Sequence, residues 1–336
     1  MTDPYRIYGV ELSPYSVKVR SYFRYKGLPH EWILRGQHNQ DEFAKYAKLP
    51  LVPLVVTPDG VGIQDSTPII EHFEAIHPEP SIHPRDPALA FLSALVEEYG
   101  DEWGNKAMFH YRWTYDADQV SSAERIAEGM QPNADATAHE QLASAIRERM
   151  VPRLSFVGSS DATRDQIEGS FRRLLEILDR HLVSRPYLFG GRPAFGDFGL
   201  FAQLYEALTD PTPGALMRAE APRVVAWCER MLDPASTGDF EGWDSIGQTL
   251  EPLLRDEVAS CFLPWSDANA KALAAGEKTF TVTLEGKPFT QETQKYHAKS
   301  LAALRRRYAG VEDPTRLEAI LDRTECLTWM RDGGAA

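Results

Sequence analysis

The order of short strands and helices in the first 80 residues constrains the fold most strongly. Apolar segments at 5–10 and 30–34 predict two strands, and the helical pattern between them ends at Gly27, a residue favoured just after a helix. A short helix then leads to the strand LVPLVV, which the turn TPDG joins to VGIQ as a hairpin, before a helix that begins near Ser66. This β-α-β-α-β-β-α order predicts a small mixed sheet with helices on its faces.

The rest of the chain predicts a helical domain followed by an extension. Residues 1–78 form the predicted first domain, and 79–87, rich in Pro and charge, are predicted to be a linker. Helical patterns dominate 88–234 and indicate an all-helical second domain. The remaining residues, 235–336, contain many aromatic side chains, a hairpin pattern in TFTVTLEGKPFTQE and two more helical patterns, so we expect this extension to be folded and packed on the helical domain.

Charge and composition exclude several classes of function. The chain has 36 basic and 49 acidic residues, and its net charge of -13 argues against nonspecific binding to nucleic acid or to an anionic membrane. No apolar run approaches the ~18 residues of a membrane span, and the N-terminus lacks the pattern of a signal peptide. The three cysteines are far apart and form no CxxC pair, which argues against a disulfide framework or a cysteine zinc site. We therefore expect a cytoplasmic protein.

Three short motifs occur in order within the first domain. The segment SPYSVKVR at 13–20 lies between the first strand and the first helix, Val52-Pro53 lies at the head of a later strand, and Gln64-Asp65-Ser66 opens the next helix. This segment resembles the SPF-x-x-RVR stretch of serine-type glutathione transferases, with a tau- and theta-like character. The three motifs together are similar to the glutathione site of that superfamily, and the resemblance covers residues 1–232.

The resemblance implies a thioredoxin-like glutathione-binding domain, then a helical domain with an unusually long C-terminal extension. It implies that Ser13 activates the thiol of glutathione, because a hydroxyl at a helix N-terminus lies where free N–H groups and the helix dipole stabilise a thiolate. Tyr15 and Ser16 are close enough in sequence to take that role. The bound tripeptide is implied to pair with Val52, before a cis Pro53, and its γ-glutamyl end to meet Gln64, Asp65 and Ser66.

Two positions depart from the family pattern. A basic residue that holds the glycyl carboxylate often lies two positions before the Val-Pro pair, but here Pro50-Leu51 stand there. Arg35, His38, Lys45 and Lys48 all remain as replacements.

The second departure lies in the helical domain, where FGDFGL resembles a helix start of the S/T-x-x-D type. Ala194 occupies the capping position and Asp197 remains three residues on. The missing hydroxyl costs roughly 0.5–2 kcal/mol of stability unless something replaces it.

The second substrate is expected against the first long helix after the linker. Tyr99, Trp103 and His110 are spaced so that they could share one face of that helix, and we expect them to contact substrate, although such residues are also typical of a core. The acids nearby lack the ligand spacing of a metal site, so no metal is expected.

Serine instead of cysteine at position 13 favours an enzyme that activates glutathione for attack on a small hydrophobic or aromatic electrophile, a glutathione S-transferase. The alternatives are a non-catalytic binding or structural protein of the same fold, a glutathione-dependent isomerase, and an enzyme that cleaves ethers or halides. The resemblance also implies a homodimer and a role in detoxification.

Overall fold

The first domain is built on one four-stranded mixed sheet. The computed structural model describes residues 3–331. The strands are β1 (Tyr5–Gly9), β2 (His30–Leu34), β3 (Leu54–Val56) and β4 (Gly62–Gln64). Their order is β2-β1-β3-β4, with β1 and β2 parallel and the other pairs antiparallel. The mixed sheet and the hairpin expected from the sequence are confirmed.

Three helices cover this sheet. They are α1 (Pro14–Tyr25), α2 (Gln40–Ala44, preceded by a 3₁₀ turn at Gln37–Asn39) and α3 (Ser66–Ile76). The apolar faces of α1 and α3 bury Val17, Phe23, Ile70 and Phe73 against the sheet. The first domain is therefore the thioredoxin-like unit that the sequence predicts.

A helical domain follows the linker. Its first long helix consists of α4 (Pro87–Tyr99), a π-helical turn (Gly100–Gly104) and α5 (Asn105–Thr114). The next elements are α6 (Asp116–Met130), α7 (Ala136–Met150), a 3₁₀ helix (Val151–Val157), α8 (Arg164–His181), α9 (Phe195–Thr209), α10 (Pro211–Glu220) and α11 (Pro222–Arg230). Helix α9 is central, because it packs against α1, α4, α5, α10 and α11. Gly100 and Gly199 allow α4 and α9 to approach closely, since a Cβ at either position would meet backbone atoms within 3 Å.

Up to residue 331, the extension contains five α-helices, a π-helical segment and one hairpin. Its elements are α12 (Trp243–Leu253), a π-helical segment (Leu254–Phe262), α13 (Leu263–Ala274), β5 (Thr279–Leu284), β6 (Lys287–Glu292), α14 (Lys295–Ala309), α15 (Thr315–Arg323) and α16 (Leu327–Arg331). Helix α12 packs on α8, and both α14 and α15 pack on α4. The last helical pattern of the sequence is interrupted between α15 and α16, where Glu325 adopts a φ of 60°. The domain boundaries at 78, 87 and 234 stay predictions, and residues 332–336 of the predicted extension lie outside the described residues.

Among residues 3–331, no helix combines the length and the apolar character that a bilayer crossing requires.

The start of α9 is held by Ser93 of α4, whose hydroxyl oxygen accepts a hydrogen bond from the N–H of Gly196 at 2.9 Å in place of the hydroxyl that Ala194 lacks, and by Asp197. Its carboxylate is fully buried and accepts hydrogen bonds from the backbone N–H groups of Ala194 (2.9 Å) and Leu188 (2.8 Å) and from the indole of Trp227 (3.0 Å). One side chain thus joins the start of the central helix to the loop before it and to α11.

We expect Asp197→Ala to lower the free energy of unfolding by about 3 kcal/mol or more, because three buried donors lose their acceptor. Chemical denaturation measures this change. Asp161→Ala is the matched control: the Asp161 carboxylate is fully exposed and pairs only with an exposed Arg164, so its loss should change stability by less than about 0.5 kcal/mol. Equal effects of the two substitutions would contradict the capping role.

Candidate active site

Ser13 lies at the entrance of an apolar cavity. It is the N-cap of α1, and its hydroxyl oxygen accepts a hydrogen bond from the N–H of Ser16 at 3.3 Å, which leaves its proton free to donate. The side chain is partly exposed and borders a cavity of about 260 Å³ between α1 and the helical domain. A hydroxyl donor and a helix N-terminus therefore meet at this cavity.

Tyr15 lines the same cavity but cannot act as an anion at neutral pH. Its hydroxyl donates to the backbone carbonyl of Asp101 (3.2 Å) and accepts from the amide of Asn105 (3.3 Å). Burial raises the pKa of Tyr15 to about 12. The phenol therefore keeps its proton and remains a hydrogen-bond donor.

Ser16 is fully buried, and its hydroxyl accepts from the N–H of Val10 at 3.4 Å. It supports the turn between β1 and α1. The backbone N–H of Ser16 donates a hydrogen bond to the hydroxyl oxygen of Ser13, which borders the cavity.

Arg112 fixes the loop that leads to Ser13. Its buried guanidinium donates to Asp210 (2.7 Å), to Glu206 (2.8 Å) and to the backbone carbonyl of Leu12 (3.0 Å). Burial opposes its charge, but the two carboxylates outweigh burial and raise the pKa of Arg112. The sequence places Arg112 on the first long helix. Its partners could not be predicted from local sequence patterns, because they lie 94 to 100 positions away along the chain.

The cavity beside Ser13 is walled mainly by apolar side chains of α5, α6 and the segment that follows. Its lining includes Met108, Phe109, Trp113, Ile126, Met150 and Val157. Sequence analysis pointed to the long helix but missed the last three, because α6, α7 and the 3₁₀ helix reach the cavity only through the packing of the helical domain.

The three residues expected to contact substrate are placed elsewhere. Tyr99 is buried and donates to Glu257 (2.9 Å), Trp103 donates to Ser170 (2.9 Å), and His110 bonds to Ser159 (2.7 Å) and Glu168 (3.1 Å). Each of them is less than 5% exposed, and none lines the cavity beside Ser13. Their role as substrate contacts stays a prediction, and the packing gives each a partner inside the protein.

The strand motif has the geometry that the resemblance implies. The Val52–Pro53 peptide bond is cis, and Val52 lies two residues before β3 at the edge of a small apolar cluster with Phe43. Gln64 holds the preceding loop, because its side-chain amide bonds to the backbone of Lys48, Leu49 and Leu51 at 2.6–3.0 Å. Gln64 therefore positions the loop, and its contact with glutathione stays a prediction.

The acidic motif lies at the start of α3. Asp65 precedes the helix with a φ of 80°, in the left-handed region, and Ser66 is buried in the first turn. The following Thr67 accepts a hydrogen bond from the buried ammonium of Lys18 at 3.1 Å. A helix N-terminus and a carboxylate thus occur together, the combination that suits a group carrying both a carboxylate and an ammonium.

Lys18 also joins this corner to the helical domain. Its ammonium lies 2.5 Å from Glu97 and 2.6 Å from Asp101, and all three side chains are buried. Burial alone would lower the pKa of Lys18, but the two carboxylates raise it. The charge of Lys18 is therefore held at the junction of α1, α3 and α4.

Arg35 is a cation without a partner near the strand motif. It follows β2, and its guanidinium lies 5.0 Å from the ring of Phe43. Its buried Nε has no hydrogen-bond partner, and it forms no ion pair within residues 3–331. Of the four basic residues left open by the sequence, Lys45 is engaged with Glu42 at 2.5 Å.

Comparison with known proteins identifies the family. The model of the glutathione S-transferase N-terminal domain matches residues 7–81, and that of the glutathione S-transferase C-terminal domain matches residues 161–230. The chain belongs to the glutathione S-transferase superfamily.

Individual relatives of this superfamily are distant. An isoprene-epoxide glutathione S-transferase of Rhodococcus sp. (strain AD45) is 24% identical over 229 residues, which cover 66% of this chain and 92% of that protein. The tau-class glutathione S-transferase of mango (Mangifera indica) shares 17% identity and a TM-score of 0.47, covering 75% of this chain and 100% of that chain. The beta-etherase LigF of Sphingobium sp. strain SYK-6 shares 21% identity and a TM-score of 0.48, covering 69% and 95%.

We expect Gln64→Ala to release the loop at 48–51, because four hydrogen bonds to its backbone are lost. Trypsin should then cleave after Lys48 faster than in the unmodified protein, while the free energy of unfolding falls by only about 1–2 kcal/mol. Gln131→Ala removes an exposed amide that bonds to Gln37 at 2.8 Å, and serves as control. Unchanged cleavage at Lys48 in the Gln64 variant would show that the loop is held by other contacts.

Proposed function

We propose that this protein is a glutathione S-transferase in which Ser13 stabilises the thiolate of bound glutathione for attack on a small apolar electrophile. The observation that carries the proposal is the position of the Ser13 hydroxyl, at the N-terminus of α1 and at the mouth of an apolar cavity. Membership of the superfamily supports glutathione as the co-substrate.

The proposed chemistry begins with loss of the thiol proton to solvent. A free thiol has a pKa of about 8.5, so a donor and a helix dipole near sulfur increase the thiolate fraction at neutral pH. Ser13 donates its proton in a hydrogen bond to sulfur and keeps its covalent O–H bond. The thiolate then forms a C–S bond with the electrophile as the bond to the leaving group breaks.

The three-membered ring of an epoxide is an electrophile that fits these residues. The Rhodococcus relative, named for an isoprene epoxide, supports this class. Attack on a ring carbon breaks a C–O bond and leaves an alkoxide. The phenol of Tyr15 lines the cavity and keeps its proton, so it can protonate that alkoxide and recover a proton from solvent.

The glycyl end of glutathione is assigned to Arg35. Its guanidinium forms no ion pair with any described residue and packs over Phe43, which belongs to the same apolar cluster as Val52. A carboxylate ligand would supply the partner that the buried Nε lacks. Arg35 thereby replaces the basic residue missing before the Val-Pro pair.

We expect Ser13→Ala to raise the pKa of the bound glutathione thiol by about 1–2 units, since one hydrogen bond to the thiolate is lost. The rate constant kcat/KM at pH 7 should fall about 10- to 100-fold with it. Absorbance near 240 nm, followed from pH 5 to 10 with glutathione bound, measures the thiolate directly. A thiolate signal that persists in the variant would move the role to Tyr15 or to backbone donors.

Two variants separate activation from binding in the same titration. Arg35→Met should weaken glutathione binding about tenfold and leave the pKa of the bound thiol unchanged. Ser16→Ala, which removes a buried hydroxyl bonded to the backbone, is the matched control for the serine. If glutathione binds but forms no thiolate in any of these proteins, the non-catalytic binding protein becomes the better hypothesis.

We expect Ile126→Trp to fill the cavity beside Ser13 and to raise KM for an apolar epoxide at least about tenfold, while the Kd of glutathione changes less than about threefold. Val120→Trp, on the exposed side of the same helix α6, is the control and should leave both constants unchanged. Loss of glutathione binding in the Ile126 variant would place the cavity on the glutathione side of the site.

The isomerase and the ether- or halide-cleaving enzyme use the same thiolate and are separated by product analysis. The homodimer, the cytoplasmic location and the role in detoxification also remain proposals.

A further inference from the structure

Helix α14 of the C-terminal extension lies against the acidic end of the proposed glutathione site. The phenol of Tyr296, in its first turn, donates to Asp65, with its oxygen 3.0 Å from both carboxylate oxygens. Asp65 is the carboxylate proposed to receive the γ-glutamyl ammonium. A residue from the end of the chain thus contacts the first domain at its ligand site.

Several contacts hold α14 in this place. His297 contacts Glu102, Ser300 contacts Glu98 and Arg307 contacts Glu71 of α3. Leu301 and Leu304 of the same helix are buried in the core. Because these contacts run from the first turn of α14 to its last, the position of Tyr296 is set by the whole helix.

The corner beside Tyr296 carries more buried acid than base. Lys18 faces both Glu97 and Asp101, and Asp65 pairs with no cation among residues 3–331. Asp101 is 6% exposed; one of its oxygens receives Lys18, and the other has no hydrogen-bond partner within the described chain. An ammonium placed here would satisfy that oxygen and reduce the excess negative charge.

Lys18 links Asp101 to the start of α3, because its ammonium lies 2.6 Å from Asp101 and donates at 3.1 Å to Thr67, two residues after Asp65. Burial raises the pKa of Asp101 to about 7, and the nearby Asp65 raises it as well. Burial also raises the pKa of Tyr296, and Asp65 and Asp101 add to this effect. The phenol therefore keeps its proton, and an added positive charge beside the two carboxylates is favourable.

We propose that Asp101 and Tyr296 complete, with Asp65, the binding site for the γ-glutamyl ammonium of glutathione, so that the chain's own extension forms this end of the site. The proposal rests on the proposed function. The two carboxylates supply acceptors, and the ring of Tyr296 covers the cation. Acylation of the γ-glutamyl amine removes its positive charge and adds an acyl group on the side where α14 lies. The site should therefore bind the free amine more tightly than the acylated one.

The pair of ligands glutathione and N-acetylglutathione tests this inference by titration calorimetry. The unmodified protein should bind glutathione at least about tenfold more tightly than the acylated peptide. Tyr296→Ala should reduce that preference about tenfold, chiefly by weakening glutathione, and Tyr296→Phe should reduce it about threefold because the ring remains. Asp101→Asn should also reduce the preference.

Tyr308→Phe is the matched control. Tyr308 lies at the other end of α14 and donates to Glu318 at 2.5 Å, so its hydroxyl is remote from Asp65. This variant should retain the full preference for glutathione. It reports any general effect of removing a tyrosine hydroxyl from the helix.

Two outcomes overturn the inference alone. The first is an unchanged preference in both Tyr296 variants, with glutathione still bound. The second is tighter glutathione binding in Tyr296→Ala, which would mean that the side chain obstructs the site. If neither the unmodified protein nor any variant binds glutathione, the proposed function fails first, and the inference fails with it.

Discussion

The buried ion cluster of Lys18 with Glu97 and Asp101 is the interaction on which the arrangement of this protein depends. Lys18 lies on α1, five residues after Ser13, and its partners lie on the first long helix of the second domain. Loss of the lysine would strongly destabilise the protein, because two carboxylates would then be left in the interior without a compensating charge. The cluster therefore fixes the orientation of α1, and with it the proposed nucleophile-activating hydroxyl, relative to the cavity that would hold the electrophile.

Neighbouring acids on the same long helix, Glu98 and Glu102, connect the extension to the helical domain. Glu98 contacts Ser300 and Glu102 contacts His297, both on α14, and the two acidic residues are buried. Further along, Lys106 enters an aromatic cage, with its ammonium 3.9 Å from the ring of Trp265, and donates to Gln291 at 2.7 Å. Burial lowers the pKa of Lys106, and no carboxylate of residues 3–331 forms an ion pair with it. The extension thus packs on the helical domain through polar contacts as well as through its core.

The family and the fold class were predictable from sequence because they depend on local patterns. The hairpin turn, the β-α-β order and the capping position at Ser13 are all fixed by residues a few positions apart, and the structure has them as expected. The hydrophobic spacing on the first long helix was equally clear. That spacing could not show whether Tyr99, Trp103 and His110 line a cavity or lie in the core. Their surroundings depend on distant residues, such as Glu257, which is 158 positions from Tyr99, and Glu168, which binds His110.

What the sequence alone determined is therefore the set of short motifs: the hydroxyl at position 13, the Val-Pro pair and the acidic start of α3. Each motif consists of a few consecutive residues, so it can be recognised without knowledge of the rest of the chain. Only the tertiary structure decided which residues surround these motifs. Tyr296 reaches Asp65 across 231 positions, and Arg112 reaches the loop before Ser13 across 100. Such pairs leave no periodic signal, because they form when separate helices pack and bury charge that must then find a partner.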